Sequence, residues 1–334
     1  MPLHRLLTAL LLPLLLAACA PLRPPERPAA FEPRLNDDHA LMDDGYRLPL
    51  DAWRAADEPR AVVVALHGFN DYRRAFASAG PFLAERGITV YAYDQRGFGE
   101  TAYRGLWAGS ERLTADLRAM LALLRRRHPE LPLYLLGESM GGAVTIAALA
   151  ADPDLPVDGV VLVAPAVWSR LTMPWYQRWG LWLAGRLAPG WKPTGESLNR
   201  WPTDNIELLR AMARDPMVIK ATRIDTIVGL VDLMDLALAS GPRLAVRGLL
   251  LYGAKDQIVP AEPTCQLLRQ LPNGGNARWR SALYPDGYHM LLRDLQGERV
   301  LEDIASWILT PDRPLPSGHE SPPGEIWALC RERG

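Results

Sequence analysis

Five short stretches of this chain are apolar or β-branched almost throughout: Ala61–Leu66 (AVVVAL), Ile88–Tyr93 (ITVYAY), Leu133–Leu136 (LYLL), Val160–Val163 (VVLV) and Leu249–Tyr252 (LLLY). A strand with one wet face alternates polar and apolar residues, so runs like these need cover on both faces. What lies between them supplies it. Leu113, Leu117, Met120, Leu121 and Leu124 fall at i, i+4, i+7, i+8 and i+11, one face of a helix that opens near Ser110, its candidate N-cap. A late strand-like segment, Arg278–Tyr284, precedes a second stripe of Val300, Leu301, Ile304, Trp307 and Ile308. Strands separated by amphipathic helices predict βαβ units and a mostly parallel α/β sheet with helices on both faces.

One stretch breaks the alternation. Residues 166–240 carry helical patterns, no convincing strand, and six of the eleven tryptophans: Trp168, Trp175, Trp179, Trp182, Trp191 and Trp201. A helical insertion between two strands of a parallel sheet reads as a cap over the strands' carboxyl ends. The chain therefore divides into a core over 45–165 and 241–310 and a cap over 166–240. Lys+Arg is 37 and Asp+Glu 38 among 334 residues, so there is no basic field to hold nucleic acid. Three cysteines exclude a disulfide scaffold, no C-x-x-C pair suggests a metal, and no cofactor motif is evident.

The N-terminus reads as an export signal over 1–18. His4 and Arg5 start it, and Leu6–Leu16 is apolar apart from Thr8 and Pro13. Such a run is shorter than the ~20 residues needed to span a bilayer. It ends in Leu16-Ala17-Ala18-Cys19, which resembles the bacterial lipobox; that resemblance implies lipidation of Cys19. With Ala20 next, the similarity to Gram-negative lipoproteins implies an outer-membrane anchor facing the periplasm. Five prolines between Pro21 and Pro33 suit a semi-stiff tether over 19–44, and the proline-rich tail over 311–334 is expected to lie loosely on the surface. An oxidising compartment permits a bridge between Cys265 and Cys330, which spacing alone leaves open.

Gly137-Glu138-Ser139-Met140-Gly141 follows the run at 133–136 directly and leads into Gly142-Ala143-Val144-Thr145-Ile146. This is G-x-S-x-G in a strand–turn–helix setting, where the turn lifts a serine hydroxyl above the sheet and the glycines let helix and strand approach. Here the chain resembles the α/β-hydrolase superfamily, in its monoacylglycerol lipase and lysophospholipase branch, from about Gly45 to Thr310. The matching segments are His67-Gly68-Phe69, Asp94-Gln95-Arg96-Gly97-Phe98-Gly99, the GESMGG turn, Gly253-Ala254-Lys255-Asp256 and Gly287-Tyr288-His289.

The residues support the same assignment. Serine needs a base to take its proton and a third group to orient that base. Of six histidines, His289 alone follows a late strand-like segment and precedes the last helix, which yields the chain order Ser, acid, His of this fold. Asp256, shortly after Leu249–Tyr252, is the preferred acid over Asp286, which is expected to cap its own turn. The fold's oxyanion donors, the N–H after the nucleophile and one after the first central strand, correspond to Met140 and Phe69. His67 and the Asp94–Gly99 turn are expected to be structural, with Arg96 bonding loop carbonyls.

These readings imply a serine hydrolase of lipid esters that works through an acyl-enzyme, with a small-ester esterase or peptidase as the alternative on the same fold and a non-catalytic envelope lipoprotein as the reading from another class. Glu138 stands where animal monoglyceride lipases have histidine, and Asn70-Asp71-Tyr72 replaces their more usual Glu-His-Ser; neither touches the triad, but both weaken the case for glycerol specificity. Trp175, Trp179 and Trp182, at i, i+4 and i+7, share one face. Two roles are open to that stripe: packing the cap onto the core, or meeting lipid as an acyl-channel wall or an interfacial face. Oligomeric state is not readable from the sequence.

Overall fold

The structure, a computed structural model, describes residues 21–194, 200–272, 279–322, 325 and 327–331. The expected signal over 1–18 and Cys19 lie outside the described residues. Among the described residues nine strands form the sheet: β1 (Arg34–Leu35), β2 (His39–Leu41), β3 (Arg47–Trp53), β4 (Ala61–Leu66), β5 (Ile88–Tyr93), β6 (Leu133–Glu138), β7 (Gly159–Val163), β8 (Gly248–Gly253) and β9 (Trp279–Tyr284). Their order is β1-β2-β3-β5-β4-β6-β7-β8-β9, parallel from β5 to β9, with β1, β2 and β3 added antiparallel at one edge. The helices are α1 (Ala79–Ala84), α2 (Ser110–Arg127), α3 (Met140–Ala151), α4 (Trp175–Leu187), α5 (Ile206–Arg214), α6 (Ile224–Ser240), α7 (Ala261–Gln270), α8 (Gly297–Leu309) and α9 (Ala328–Arg331).

The unbroken apolar runs have the cause expected of them. Val62 and Val64 point into a core shared with α2, α3 and α6, while Val63 and Ala65 point into one shared with α1 and α8. Every residue of β4, β5, β6, β7 and β8 is buried. The stripes at 113–124 and 300–308 are the buried faces of α2 and α8. Connections leave β4 toward β5 on one side and β6 toward β7 on the other, which opens a crevice at the carboxyl ends of β4 and β6. This is the α/β-hydrolase fold, and α4, α5 and α6 form its cap.

Four expectations need correction. Ser110 is the first helical residue, not the cap: Gly109 holds that position at φ 93°, and no side chain bonds the helix end. Within the tether expected over 19–44, the described residues 21–44 do not stand off from the domain. Pro21–Arg27 line a groove against α2 and the cap, Ala30 and Phe31 donate their N–H groups to Asp43 O, and β1 and β2 extend the sheet. The sheet thus begins before residue 45. Nor is the tail loose: Leu315 is buried, Glu320 bridges to Ala282 and Trp327 stacks on Tyr252 at 5.5 Å. Cys330 of α9 is disulfide-bonded to Cys265 of α7, with the Cα atoms 5.6 Å apart.

Candidate active site

Ser139 occupies the single residue between β6 and α3, at φ 51° and ψ −114°. A non-glycine residue is uncommon there, and such strain persists where surrounding structure over-determines it. The surroundings do so. Ser139 N–H donates to Val163 O at 3.0 Å, and its carbonyl accepts from Ala166 N–H at 2.9 Å, so the turn is stitched to the end of β7. A Cβ at Gly137 would meet Gly142 Cα at 2.7 Å, and one at Gly141 would meet Leu66 O at 2.1 Å. The flanking glycines are therefore required by close backbone approach.

The loops after β8 and β9 bring two partners to this turn. His289 Nε2 lies 3.0 Å from Ser139 Oγ, and His289 Nδ1 lies 2.8 Å from Asp256 Oδ2. Asp256 Oδ1 is fixed by the N–H groups of Ile258 and Val259, at 2.7 and 3.0 Å. All three side chains are buried. Burial alone would push the His289 pKa down, but the charge and hydrogen bond of Asp256, helped by the Glu138 charge, raise it above the ordinary imidazole value. Asp286 is not drawn in: it sits at the surface, paired with Lys255 Nζ at 2.7 Å.

Phe69 follows β4 and Met140 opens α3. Neither backbone N–H has a partner among the described residues, so both are free to receive an oxyanion. His67 is buried and both its ring nitrogens are engaged by the backbone; Nε2 accepts from Gln95 N–H at 3.0 Å and Nδ1 donates to Gly68 O at 2.8 Å. Arg96 does not bond loop carbonyls as expected. It forms two-pronged ion pairs with Asp44 (2.6 and 2.8 Å) and Asp116 (2.5 and 2.9 Å), because two buried carboxylates converge on it from β2–β3 and α2.

A second buried cluster was missed from sequence. Arg293 Nη1 lies 2.8 Å from Asp71 Oδ2, and its Nη2 lies 3.1 Å from Glu138 Oε2. Burial raises the Glu138 pKa, and the Asp71 charge adds to this, while Arg293 and His289 oppose it. Glu138 and Asp71 stood out in sequence only as departures from the resembling family. Arg293 carried no signal.

A cavity of about 570 Å³ opens over Ser139 and His289, a size that suits a small ligand. Cap residues Trp168, Met173, Leu181, Leu230, Val231 and Met234 wall it with apolar surface. Trp175, Trp179 and Trp182 do not line it, which corrects the expectation that they could bind substrate as a channel wall. They do not pack the cap onto the core either: α4 has no buried residue, and the three are 70%, 61% and 50% exposed. The helix turns Gln177 and Leu181 toward the cavity, leaves Trp175 and Trp179 exposed, and sets Trp182 at the wall of the groove that takes residues 21–27. A larger groove, about 1030 Å³, lies between residues 21–27, α2 and the cap; it contains none of Ser139, Asp256 or His289. Among the described residues no His, Cys, Asp and Glu cluster has the makings of a metal site.

Residues 57–296 match the Hydrolase_4 family, described as serine aminopeptidase, S33. The chain is 26% identical over 278 residues to a monoacylglycerol lipase of Mycolicibacterium smegmatis, covering 80% of this chain and 94% of that one. It is 25% identical over 309 residues to the human monoglyceride lipase, covering 90% and 98%. Among solved structures, the Paleococcus ferrophilus monoacylglycerol lipase superposes with a TM-score of 0.65 at 23% identity, covering 79% of this chain and 98% of that one.

Proposed function

The chain belongs to the Hydrolase_4 family, and on that premise we propose that it is a serine hydrolase of lipid carboxylic esters, of the monoacylglycerol or lysophospholipid type. The observation that carries this is the Ser139–His289–Asp256 chain of contacts at the base of an apolar cavity. Ser139 Oγ attacks the ester carbonyl as His289 Nε2 takes its proton. Asp256 accepts the Nδ1–H, fixing the tautomer and stabilising the imidazolium. The carbonyl oxygen gains charge and is met by the N–H groups of Phe69 and Met140. His289 then gives its proton to the leaving alkoxide, and the acyl group stays on Ser139. A water molecule, deprotonated by His289, cleaves that acyl-enzyme and releases the fatty acid.

The apolar walls favour an acyl chain, and the lipase relatives point the same way. An aminopeptidase would need an unengaged carboxylate for the substrate's ammonium group. The two beside the serine, Glu138 and Asp71, are both held by Arg293.

An anchored location in the cell envelope, through lipidated Cys19, fits the same reading. Leu22 N–H donates to Asp225 Oδ2 at 3.0 Å, beside the C-terminal end of α4, and three residues of chain reach at most about 11 Å. Acyl chains on Cys19 would therefore enter the bilayer near the outward tryptophans, and tryptophan favours that interface. The Cys265–Cys330 bridge suits an oxidising compartment. A fluorophosphonate probe tests the chemistry: we expect one covalent adduct at Ser139 and none in Ser139→Ala. An unlabelled wild-type protein would remove the hydrolase reading and favour a binding lipoprotein.

A further inference from the structure

Arg293, Asp71 and Glu138 form a charge cluster at the floor of the active-site cavity that proton transfer does not use. Its members come from three segments: the loop after β4 (Asp71), the end of β6 (Glu138) and the loop after β9 (Arg293). Asp71 lies two residues beyond Phe69, and Glu138 lies two residues before Met140. We propose that Arg293 is a positioning residue, which by gripping Asp71 and Glu138 together fixes the distance between the Phe69 and Met140 N–H groups that receive the oxyanion. The proposal rests on the hydrolase reading above.

Three observations lead there. Backbone donors cannot be tuned by their own side chains, so their placement depends on what holds the two segments, and a misplacement of about 1 Å is costly to rate. The β4 loop is tethered on its other side to the cap: Asn70, at φ 65°, accepts from Ile219 N–H at 2.9 Å and donates through Nδ2 to Thr222 Oγ1 at 2.7 Å. Tyr72 OH donates to Asp215 Oδ2 at 2.6 Å. Arg293 supplies the opposing grip, toward the serine. Stability is also a poor reason to keep such a cluster, since buried ion pairs rarely repay their desolvation. Here Glu138 Oε1, Asp71 Oδ2 and Arg293 Nε have no hydrogen-bond partner among the described residues, so Arg293 holds Asp71 by ion pairing and Glu138 by an ion pair with a hydrogen bond.

The cluster also bears on the base. Charged groups near His289 are Asp256 on its Nδ1 side, Glu138 from β6 and Arg293 from its own loop, with Asp71 behind Arg293; Glu138 raises its pKa and Arg293 lowers it.

The experiment compares wild type with Arg293→Lys, Arg293→Met and Glu138→Gln on p-nitrophenyl butyrate, with an alkyl boronic acid as tetrahedral adduct. Turnover by the wild type shows by itself whether the site cleaves esters; its absence overturns both claims. Given turnover, we expect kcat to fall roughly 10- to 100-fold in the Arg293 variants with KM little changed, and boronate affinity to fall in step. The acid limb of kcat/KM should move to higher pH in Arg293→Met and to lower pH in Glu138→Gln. Variants that lose only melting temperature, keep wild-type kcat, or leave the acid limb in place would overturn the proposal. Should Arg293→Met fail to fold, Arg293→Lys and Glu138→Gln carry the same comparison.

Discussion

Ser139, His289 and Asp256 lie 150 and 33 residues apart along the chain yet within 3.0 Å of one another through His289. Groups that act as one unit lose function non-additively, so Ser139→Ala and His289→Ala should each cost at least about 10⁴-fold in kcat, and the double variant little more. A double variant slower by the product of both losses would assign them to separate steps. Because Asp256 and Glu138 raise the His289 pKa, and the base must be neutral, activity should fall as pH drops through a value above the usual ~6.5. A kcat/KM profile whose acid limb lies below that value would contradict the electrostatics. These residues were legible because strand–turn–helix glycines and chain order restrict each choice. Arg293, Asp71 and Glu138 were not, since an ion-pair cluster spanning positions 71, 138 and 293 leaves no spacing or period to read.

At the scale of elements, strands buried on both faces announce themselves, and all five unbroken apolar runs lie in β4 to β8. The antiparallel edge was missed. β1 and β2 are two and three residues long, and β3 (RLPLDAW) carries a proline and a half-exposed outer face, so edge position rather than composition makes them strands. α4 misled differently: periodicity correctly placed its tryptophans on one face but cannot say which way that face turns. Chain-length selectivity is therefore expected from the inward wall. Leu230→Asp should reduce kcat/KM for long acyl chains far more than for acetate esters, since each CH₂ against an apolar wall contributes up to ~0.8 kcal/mol. Replacing Trp179 and Trp182 with Ala should leave the chain-length series for dissolved esters unchanged and weaken association with phospholipid vesicles. A flattened series in that double variant would return the tryptophans to the channel.

For the whole molecule, the described segments near both ends are parts of the domain. Residues 21–35 lie against the cap groove and the sheet edge, and the disulfide ties α9 to α7 across 65 residues of sequence. A cross-link of that span stabilises by up to ~4 kcal/mol in the chain-entropy account, so Cys330→Ser should lower the melting temperature by several degrees while leaving kcat for short esters intact. An unchanged melting curve would mean that the packing of Trp327 suffices. Cys19→Ser should release the protein from the membrane fraction with short-ester activity unaltered; retention there would assign the anchoring to another feature. Proline content alone suggested loose ends, because composition does not reveal a groove or bridge that captures a segment. Fatty-acid release from oleoylglycerol and oleoyl lysophosphatidylcholine measures lipid-ester hydrolysis at Ser139 directly. We predict release from at least one of them by the wild type and none above background in Ser139→Ala. Turnover confined to short esters or aminoacyl amides, with both oleoyl esters untouched, would contradict it.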